Sequence, residues 1–272
     1  MAYTQTRNRL RGRTVLITGA SSGIGRSTAL EFARASPDEL RLVLVARRTD
    51  KLNEIATEIA KTVGQGVQVF SLTLDVSDPV EACSIMDKLP AEFRDIDVLV
   101  NNAGLAKGAA KAPEISQDEI NTMMLTNVNG LINITQAILP VFLKRENGGR
   151  GDIINVGSVA GREPYASGSV YCASKAAVRA FTDSIRRELV ATRIRVIEID
   201  PGQVETEFSL VRFSGDSAKA ASVYVGCEPL TPGDIAELLI FAASRRENVV
   251  IADTLVYPNH QQGGAITMHR NL

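Results

Sequence analysis

Histidine and cysteine are scarce in this sequence of 272 residues. The two histidines, His260 and His269, lie near the C-terminal end, and the three cysteines are Cys83, Cys172 and Cys227. This distribution predicts no metal site, because a protein metal centre needs several such ligands close together. Three irregularly spaced cysteines are typical of reduced thiols, so we expect a cytoplasmic protein without a disulfide framework.

Long apolar runs and a strong charge bias are also missing. No run reaches the roughly 18–20 apolar residues that a membrane-spanning helix needs. The formal net charge is −1 and the pI is about 6.2, so we expect neither a nucleic-acid nor a membrane partner. Arginines 7, 9, 11 and 13 cluster near the start, where the first thirty residues contain no acid. We interpret residues 1–12 as a solvated basic tail.

The sequence does contain a regular alternation of strand-like and helix-like segments. The strand-like runs, rich in apolar and β-branched residues, span 14–18, 40–45, 67–72, 98–101, 152–156, 195–199 and 249–255. The helix-like patterns span 22–35, 50–63, 80–88, 120–144, 169–190 and 232–243. This alternation predicts an α/β fold over residues 1–272, a single-domain Rossmann-type, doubly wound parallel sheet of about seven strands with helices on both faces.

A glycine-rich turn follows the first predicted strand and precedes the first predicted helix. Its residues are Gly19, Ala20, Ser21, Ser22, Gly23, Ile24 and Gly25. Glycines allow the backbone to approach a pyrophosphate, and a helix N-terminus offers free N–H groups and a partial positive charge. A glycine-rich turn on its own is often only a tight turn. The order of strand, turn and helix favours dinucleotide binding.

Two arginines follow the second predicted strand. Arg47 lies 22 residues after Gly25, and Arg48 is next to it. An acidic residue near this distance binds the ribose 2′-hydroxyl of NAD, whereas arginine suits the 2′-phosphate of NADP. The alternative is that both arginines are solvated loop residues. The absence of an acid at residues 46–48 favours NADP.

Three further residues together indicate proton-transfer chemistry. Tyr171 and Lys175 are four residues apart, so they share one face of a predicted helix, and Ser158 ends a predicted strand. An ammonium beside a phenol lowers the phenol's pKa, so the tyrosine can exchange a proton with an alcohol or a carbonyl. On its own, the Tyr–Lys pair is also compatible with a solvated helix face.

Taken together, these motifs resemble the short-chain dehydrogenase/reductase family along nearly the whole chain. The resemblance implies a catalytic tetrad of Asn127, Ser158, Tyr171 and Lys175, in which Asn127 holds a water that links Lys175 to solvent. It also assigns cofactor contacts to Asp75 and Val76 at the adenine, to Asn102, Ala103 and Gly104, and to Pro201, Gly202, Val204 and Thr206 near the nicotinamide. Lys175 is expected to bind the nicotinamide ribose as well.

Residues 158–162, 204–212 and 251–255 are similar to a subgroup, the NADP-dependent 3-hydroxy acid dehydrogenases that act on serine or L-allo-threonine, especially its fungal members. This resemblance implies a homotetramer that oxidises the 3-hydroxyl of small 3-hydroxy acids. Two alternatives remain open, a broad NADPH-dependent carbonyl reductase and a non-enzymatic NADP-binding protein.

A hydroxy acid substrate requires a partner for its carboxylate. Residues 205–229 fit no core element, so we interpret them as a substrate lid. Arg212 in this segment is our first candidate for the carboxylate, with Arg162 and Lys219 as alternatives. A solvated arginine is the competing interpretation. Two acids of the same segment, Glu205 and Glu207, are either ligands for a substrate ammonium or surface residues.

Overall fold

Seven parallel strands form one sheet at the centre of the protein, whose structure is a computed structural model that describes residues 2–264 and 267–269. The strands are β1 (Thr14–Thr18), β2 (Leu40–Ala46), β3 (Val67–Thr73), β4 (Val98–Asn101), β5 (Arg150–Val156), β6 (Arg193–Pro201) and β7 (Asp253–Val256). Their order across the sheet is β3-β2-β1-β4-β5-β6-β7. The predicted Rossmann-type α/β fold is confirmed.

Ten α-helices connect and cover these strands in the described part of the chain. They are α1 (Ala2–Leu10), α2 (Gly23–Ala35), α3 (Thr49–Thr62), α4 (Pro79–Cys83), α5 (Gln117–Met124), α6 (Leu131–Leu143), α7 (Ser169–Glu188), α8 (Phe208–Arg212), α9 (Ser217–Ser222) and α10 (Pro232–Ala243). Every one of these helices is too short or too polar to cross a membrane.

Apolar side chains cover both faces of the sheet, as expected for parallel strands between helices. Along β1, Val15 and Ile17 point into one core and Leu16 into the other, and all three are fully buried. Helices α2, α3 and α10 complete the first core. Helices α6 and α7, together with the segment after α4, complete the second.

The strand order reverses beside β1. The chain moves outwards from β1 to β3 and then returns to place β4 on the other side of β1. In an open parallel sheet, ligands bind in the crevice outside the carboxyl ends of the strands at such a reversal. The fold therefore predicts the position of a site before any side chain is considered.

Three parts of the fold differ from the sequence-based expectations. The expected basic tail contains helix α1, whose Leu10 is completely buried and whose Arg9 Nη1 donates to the Ser244 carbonyl oxygen over 2.9 Å. The helix expected over 120–144 is interrupted by a π-helical segment at Leu125–Gly130. Strand β7 is shorter than expected and begins only at Asp253.

Candidate active site

A cavity of about 700 Å³ lies at the carboxyl ends of the strands and contains nearly all the predicted site residues. The residues with predicted roles that line it are Gly19, Ser21, Ser22, Gly23, Ile24, Arg47, Arg48, Asp75, Val76, Asn102, Ala103, Gly104, Ser158, Tyr171, Lys175, Pro201, Gly202, Val204, Thr206 and Arg212. Two predicted residues, Gly25 and Asn127, lie behind this lining and support it.

The glycine turn at one end of the cavity has no room for a side chain at two of its glycines. Gly19 has a φ of +64°, and a methyl group there would lie 2.8 Å from the Cα of Ala103. A methyl group on Gly25 would lie 2.3 Å from the carbonyl oxygen of Gly19. Both positions therefore require glycine, as expected where the backbone must approach a pyrophosphate.

The N-terminus of α2 faces this turn without an internal cap. Ser22 occupies the N-cap position in an extended conformation, but its side chain makes no capping hydrogen bond, and the first turn contains no acidic residue. By contrast, α5 and α10 both begin with a complete capping box. The first N–H groups of α2 are thus available to an anion, which the helix dipole favours.

Hydrogen bonds from the end of β4 fix the glycine turn in place. Asn102 Nδ2 donates to the carbonyl oxygens of Thr18 and Gly19 over 3.0 and 3.2 Å. The Thr18 hydroxyl accepts from the backbone N–H groups of Asn102 and Ala103 over 3.0 and 3.1 Å. The two strands that flank the topological reversal are therefore joined where the cavity begins.

Both arginines predicted to contact a 2′-phosphate line the cavity at the end of β2. Arg47 is two-thirds exposed, and its Nη1 lies 3.7 Å from a carboxylate oxygen of Asp75. Arg48 donates to the Ser21 hydroxyl and, over 2.9 Å, to Glu207 of the predicted lid. The glycine turn, the uncapped helix and these guanidinium groups together fit a phosphorylated dinucleotide.

Ser158 and Tyr171 lie at the opposite end of the cavity. Ser158 lies two residues after the end of β5, and its hydroxyl accepts the Ala160 N–H over 3.1 Å. Burial raises the pKa of Tyr171 well above its usual range, and the Ser158 hydroxyl, within hydrogen-bonding reach, opposes this shift. A buried neutral phenol beside a serine hydroxyl is arranged to hold a substrate oxygen.

The position of Lys175 differs from the expectation that its charge directly activates Tyr171. Its ammonium donates to the Val156 carbonyl oxygen over 2.8 Å, and burial lowers its pKa to about 8. The groups that influence Tyr171 most are Ser158, Tyr165, Arg212 and Cys172. The expected lowering of the tyrosine pKa is therefore absent in the protein alone, because burial outweighs the neighbouring charges.

The π-helical segment places Asn127 beside Lys175. Its side-chain amide donates to the Leu105 carbonyl oxygen and the Ser174 hydroxyl over 2.8 and 3.0 Å, and its oxygen accepts the Leu105 N–H over 2.9 Å. A methyl group on Gly104 would lie 3.3 Å from Asn127 Oδ1 and 3.6 Å from Lys175 Nζ. The side chain thus fixes the strand-to-loop connection, and its role in holding a water stays a prediction.

Arg212 reaches the cavity from α8, the first helix of the predicted lid. Its guanidinium donates to Tyr165 Oη and to the carbonyl oxygens of Ser167 and Gly108, over 3.3, 3.0 and 3.3 Å. It also stacks over the Tyr165 ring at 5.6 Å. Among the ion pairs of the described residues, none involves Arg212. Its charge therefore has only neutral partners there.

The other candidates for a carboxylate partner lie elsewhere. Arg162 forms ion pairs with Asp200 and Asp253 at 2.7 and 3.2 Å and does not line the cavity. Lys219 is exposed and pairs with Asp216. Glu207, a candidate for a substrate ammonium instead, lines the cavity but pairs with Arg48. The structure thus leaves Arg212 as the one of our three cationic candidates that faces the cavity.

The cavity also contains residues that the sequence analysis did not single out. Among them are Tyr165, Gln203, Phe208, Gln261, Gly264 and Thr267. Phe208 packs edge-on against Tyr171 with ring centroids 5.4 Å apart. Gln261 Oε1 accepts the Gln203 N–H over 2.7 Å, which attaches the C-terminal segment to the end of β6. These residues lack a short motif, and only the fold brings them together.

Comparison with known proteins is consistent with this geometry. The family described as short chain dehydrogenase matches residues 13–215. An NADP-dependent 3-hydroxy acid dehydrogenase of Schizosaccharomyces pombe is 54% identical over 263 residues, which covers 97% of this chain and 98% of the relative. Sulfoacetaldehyde reductase 2 of Chromohalobacter salexigens is 41% identical over 94% of this chain and 98% of the relative.

A solved structure also resembles the protein closely. The closed form of a serine dehydrogenase complexed with NADP+ superposes with a TM-score of 0.83 at 37% sequence identity. The match covers 94% of this chain and 99% of that one.

Proposed function

The chain belongs to the short-chain dehydrogenase family, and from this premise we propose that it is an NADP-dependent oxidoreductase acting on small 3-hydroxy acids. It oxidises the 3-hydroxyl of compounds such as serine, allo-threonine and 3-hydroxyisobutyrate, and it reduces the corresponding 3-oxo compounds. The physiological cofactor is NADP.

The observation that carries this proposal is the position of Arg212. Its guanidinium lines the same cavity as Ser158 and Tyr171, and its partners are a phenol and two carbonyl oxygens. A cation held by neutral groups beside a buried phenol favours a substrate that carries an anion. The planar guanidinium fork suits a carboxylate in particular.

The chemistry of the relatives supports the same substrate class. Serine and other 3-hydroxy acids carry a carboxylate one carbon away from the carbon that bears the hydroxyl. Sulfoacetaldehyde carries a sulfonate at the same spacing from its carbonyl carbon. Relatives named for these three substrates therefore share an anion at a fixed distance from the reacting carbon. A single arginine at the position of Arg212 suits all of them.

Two features support NADP as the cofactor. Arg47 and Arg48 lie at the end of β2 with no acid between residues 46 and 48. The Schizosaccharomyces pombe relative at 54% identity is named as NADP-dependent, and the serine dehydrogenase of the solved structure is complexed with NADP+. When bound, the cofactor accepts the hydride, and the positive charge of its oxidised nicotinamide favours the phenolate form of a nearby tyrosine.

In the proposed oxidation, Tyr171 as the phenolate takes the proton of the 3-hydroxyl, while the hydride leaves the carbon that bears this hydroxyl. The Ser158 hydroxyl holds the substrate oxygen during this step, and Arg212 fixes the carboxylate. In the reverse direction, the Tyr171 phenol supplies the proton. A positioned acid–base group of this kind contributes typically a factor of 10² to 10⁴.

Lys175 and Asn127 support this proton transfer in the proposed mechanism. The Lys175 ammonium binds the ribose of the cofactor and adds positive charge near the site. Asn127 fixes the loop that begins at Gly104 and, by analogy with the family, holds a water that links Lys175 to solvent. The remaining loop residues, from Gly19 to Gly25 and from Asn102 to Gly104, hold the cofactor.

The proposal includes a homotetramer in the cytoplasm. Exposed apolar side chains on α10 and on the edge strand β7, among them Phe241 and Leu255, support association. Three free cysteines support a reducing compartment. Sedimentation analysis should give a particle of four times the chain mass of 29.2 kDa, and a monomer would contradict this part of the proposal.

A substrate panel tests the proposed function. Initial rates would be measured with NADP and with NAD, using serine, allo-threonine, 3-hydroxyisobutyrate and simple alcohols. We expect turnover of the acids with NADP and far weaker turnover with NAD. A preference for simple alcohols would indicate the broad carbonyl reductase instead. NADPH binding without turnover of any compound would indicate a binding protein.

A further inference from the structure

A row of polar side chains crosses the sheet beneath the candidate active site. Asn101, Asn155, Glu198 and Asp253 are register partners on the adjacent strands β4, β5, β6 and β7. The first three are almost completely buried. Asn101 Nδ2 donates to Asn155 Oδ1, and Asn155 Nδ2 donates to the Thr182 hydroxyl of α7. Among the described residues, Glu198 Oε1 is buried without a hydrogen-bond partner.

A second buried carboxyl group adjoins Glu198. Asp200 lies two residues further along β6 and therefore on the same face of the sheet. A methyl group on Gly157 would lie 1.9 Å from Asp200 Oδ1 and 2.7 Å from Glu198 Oε1. The absence of a side chain at Gly157 thus leaves a space that both carboxyl groups enter. Each residue is about 1% exposed.

Asp200 connects this space to the candidate active site. Its Oδ1 accepts the backbone N–H of Ser158 over 3.0 Å, and its Oδ2 accepts Arg162 Nε over 2.7 Å. Arg162 also pairs with Asp253, and Arg179 of α7 lies 4.0 Å from Asp253. Asp200 therefore has a cationic partner of its own, whereas the cation that acts on Glu198 is the Lys175 ammonium, which donates to the Val156 carbonyl oxygen next to Gly157.

The charges in this region influence one another. Burial, and then the charge of Asp200, raises the pKa of Glu198 to about 8. Burial lowers the pKa of Lys175 to about 8, while the carboxylates of Asp200 and Glu198 oppose that decrease. Two neighbouring carboxyl groups cannot both ionise easily in a buried space, so they retain one proton between them.

We propose that Glu198 and Asp200 are positioning residues that share one proton behind Ser158 and Lys175, and that loss of this proton keeps the Lys175 ammonium charged in alkaline solution. At neutral pH the pair is singly charged, and that charge lies on Asp200, where it holds Ser158 and Arg162. As the pH rises, Glu198 ionises and stabilises the ammonium. The role of Lys175 in this inference rests on the proposed function.

Thermal unfolding of Glu198→Gln tests the shared proton without any turnover. A folded-state pKa above the ordinary value makes Glu198 contribute stability that is fully present below about pH 4.5 and is lost as the pH rises to about 8. The glutamine does not ionise. The Tm of Glu198→Gln, relative to the unmodified protein, should therefore rise between about pH 5 and pH 8 and then level off. Asp200→Asn should change the profile in the same direction but less.

The pH profile of kcat/KM tests the link to Lys175. Without the carboxylate of Glu198, Lys175 should lose its proton at lower pH. We expect the alkaline limb of the Glu198→Gln profile to move down by about one pH unit. This shift is a tenfold loss of kcat/KM at pH 9 with little change at pH 7. Glu237→Gln, an exposed carboxamide substitution on α10, serves as the control and should match the unmodified profile.

The two measurements test the shared proton and the link to Lys175 separately. A Tm difference that does not vary with pH in either variant would overturn the shared proton. An unshifted alkaline limb, together with an unshifted pH dependence of the NADPH Kd, would overturn the link to Lys175. Absence of turnover in the unmodified protein would refute the proposed function, while the Tm profiles and the NADPH Kd would still decide this inference.

Discussion

Tyr171 is the side chain on which the proposed chemistry depends most. Tyr171→Phe retains the ring that packs against Phe208 and removes the proton carrier. Turnover should fall by at least about 10²- to 10⁴-fold, whereas the NADPH Kd should change only slightly. Tyr257→Phe is the control, because that phenol lies outside the cavity and bonds to Glu163. Retention of most of the activity by Tyr171→Phe would contradict the acid–base role.

Arg47 tests the choice of cofactor at the same scale. Its guanidinium is two-thirds exposed and has only a distant contact with Asp75, so it is available to a phosphate. Arg47→Asp should weaken NADP binding by about 1.5–3 kcal/mol and NAD binding much less. Fluorescence titration with NADPH and NADH measures both. Arg34→Asp on α2 provides a charge-matched control, and equal losses for the two cofactors would contradict the assignment.

The sequence predicts individual site residues well where a motif stands at the end of a strand. Gly19, Asn102, Ser158 and Pro201 all lie at or just after the carboxyl ends of parallel strands, which meet at one edge of the sheet. Tyr165 and Gln261 reach the same cavity from irregular segments, and no local pattern marks them. The pKa of Tyr171 was not predictable either, because it depends on burial in the fold rather than on the spacing to Lys175.

At the scale of the elements, the local sequence predicts the position of most strands and helices. Contacts between residues distant in sequence determine the elements that differ from the prediction. Strands β1 and β4 and helix α10 coincide with the predicted runs. Helix α1 is short and polar, and it depends on the burial of Leu10 and on contacts of Arg9 with Ser244. Strand β7 starts late because the Val249 carbonyl oxygen accepts a hydrogen bond from Arg195. None of these contacts is visible in a sequence window.

The unit formed by β1, the glycine turn and α2 should bind the cofactor poorly when its closest backbone contact is disturbed. Gly25→Ala forces a methyl group against the Gly19 carbonyl oxygen and Asn102. The turn must move, so we expect the NADPH Kd to rise at least about tenfold, or about 1.4 kcal/mol, with a smaller loss of Tm. Gly233→Ala is the matched control, because a methyl group there meets only Thr231 Oγ1 at 3.4 Å. Unchanged NADPH affinity in Gly25→Ala would contradict the proposed cofactor site.

At the scale of the whole molecule, a buried ion pair connects the sheet to its helices. Arg195 donates to both carboxylate oxygens of Asp152 at 2.6 Å and to the carbonyl oxygens of Ala242 and Ala243 at the end of α10. Both side chains are nearly inaccessible to solvent. This pair lies outside the active-site cavity, so it serves the fold rather than the proposed reaction.

Asp152→Asn should therefore destabilise the protein without altering its chemistry. Arg195 would remain buried with an uncompensated charge, at a cost of about 3–5 kcal/mol. We expect the Tm to fall by roughly 6–20 °C, while kcat/KM of the folded enzyme stays near that of the unmodified protein. Glu247→Gln, which removes an exposed partner of Arg193, should lower the Tm by at most about 2–4 °C. An equal Tm for the two variants would contradict this account.

The most direct test of the proposed function compares one acid with its matched alcohol. It measures kcat/KM with NADP for 3-hydroxyisobutyrate and for 2-methyl-1-propanol, in the unmodified protein and in Arg212→Ala, with Lys219→Ala as a lid control. We expect kcat/KM for the acid to be higher by about 2–4 kcal/mol, or roughly 30- to several-hundred-fold, because the half-buried guanidinium otherwise has no anionic partner. Arg212→Ala should remove most of that preference by lowering kcat/KM for the acid and leaving kcat/KM for the alcohol unchanged. A preference of the unmodified protein for the alcohol would contradict the proposed substrate class.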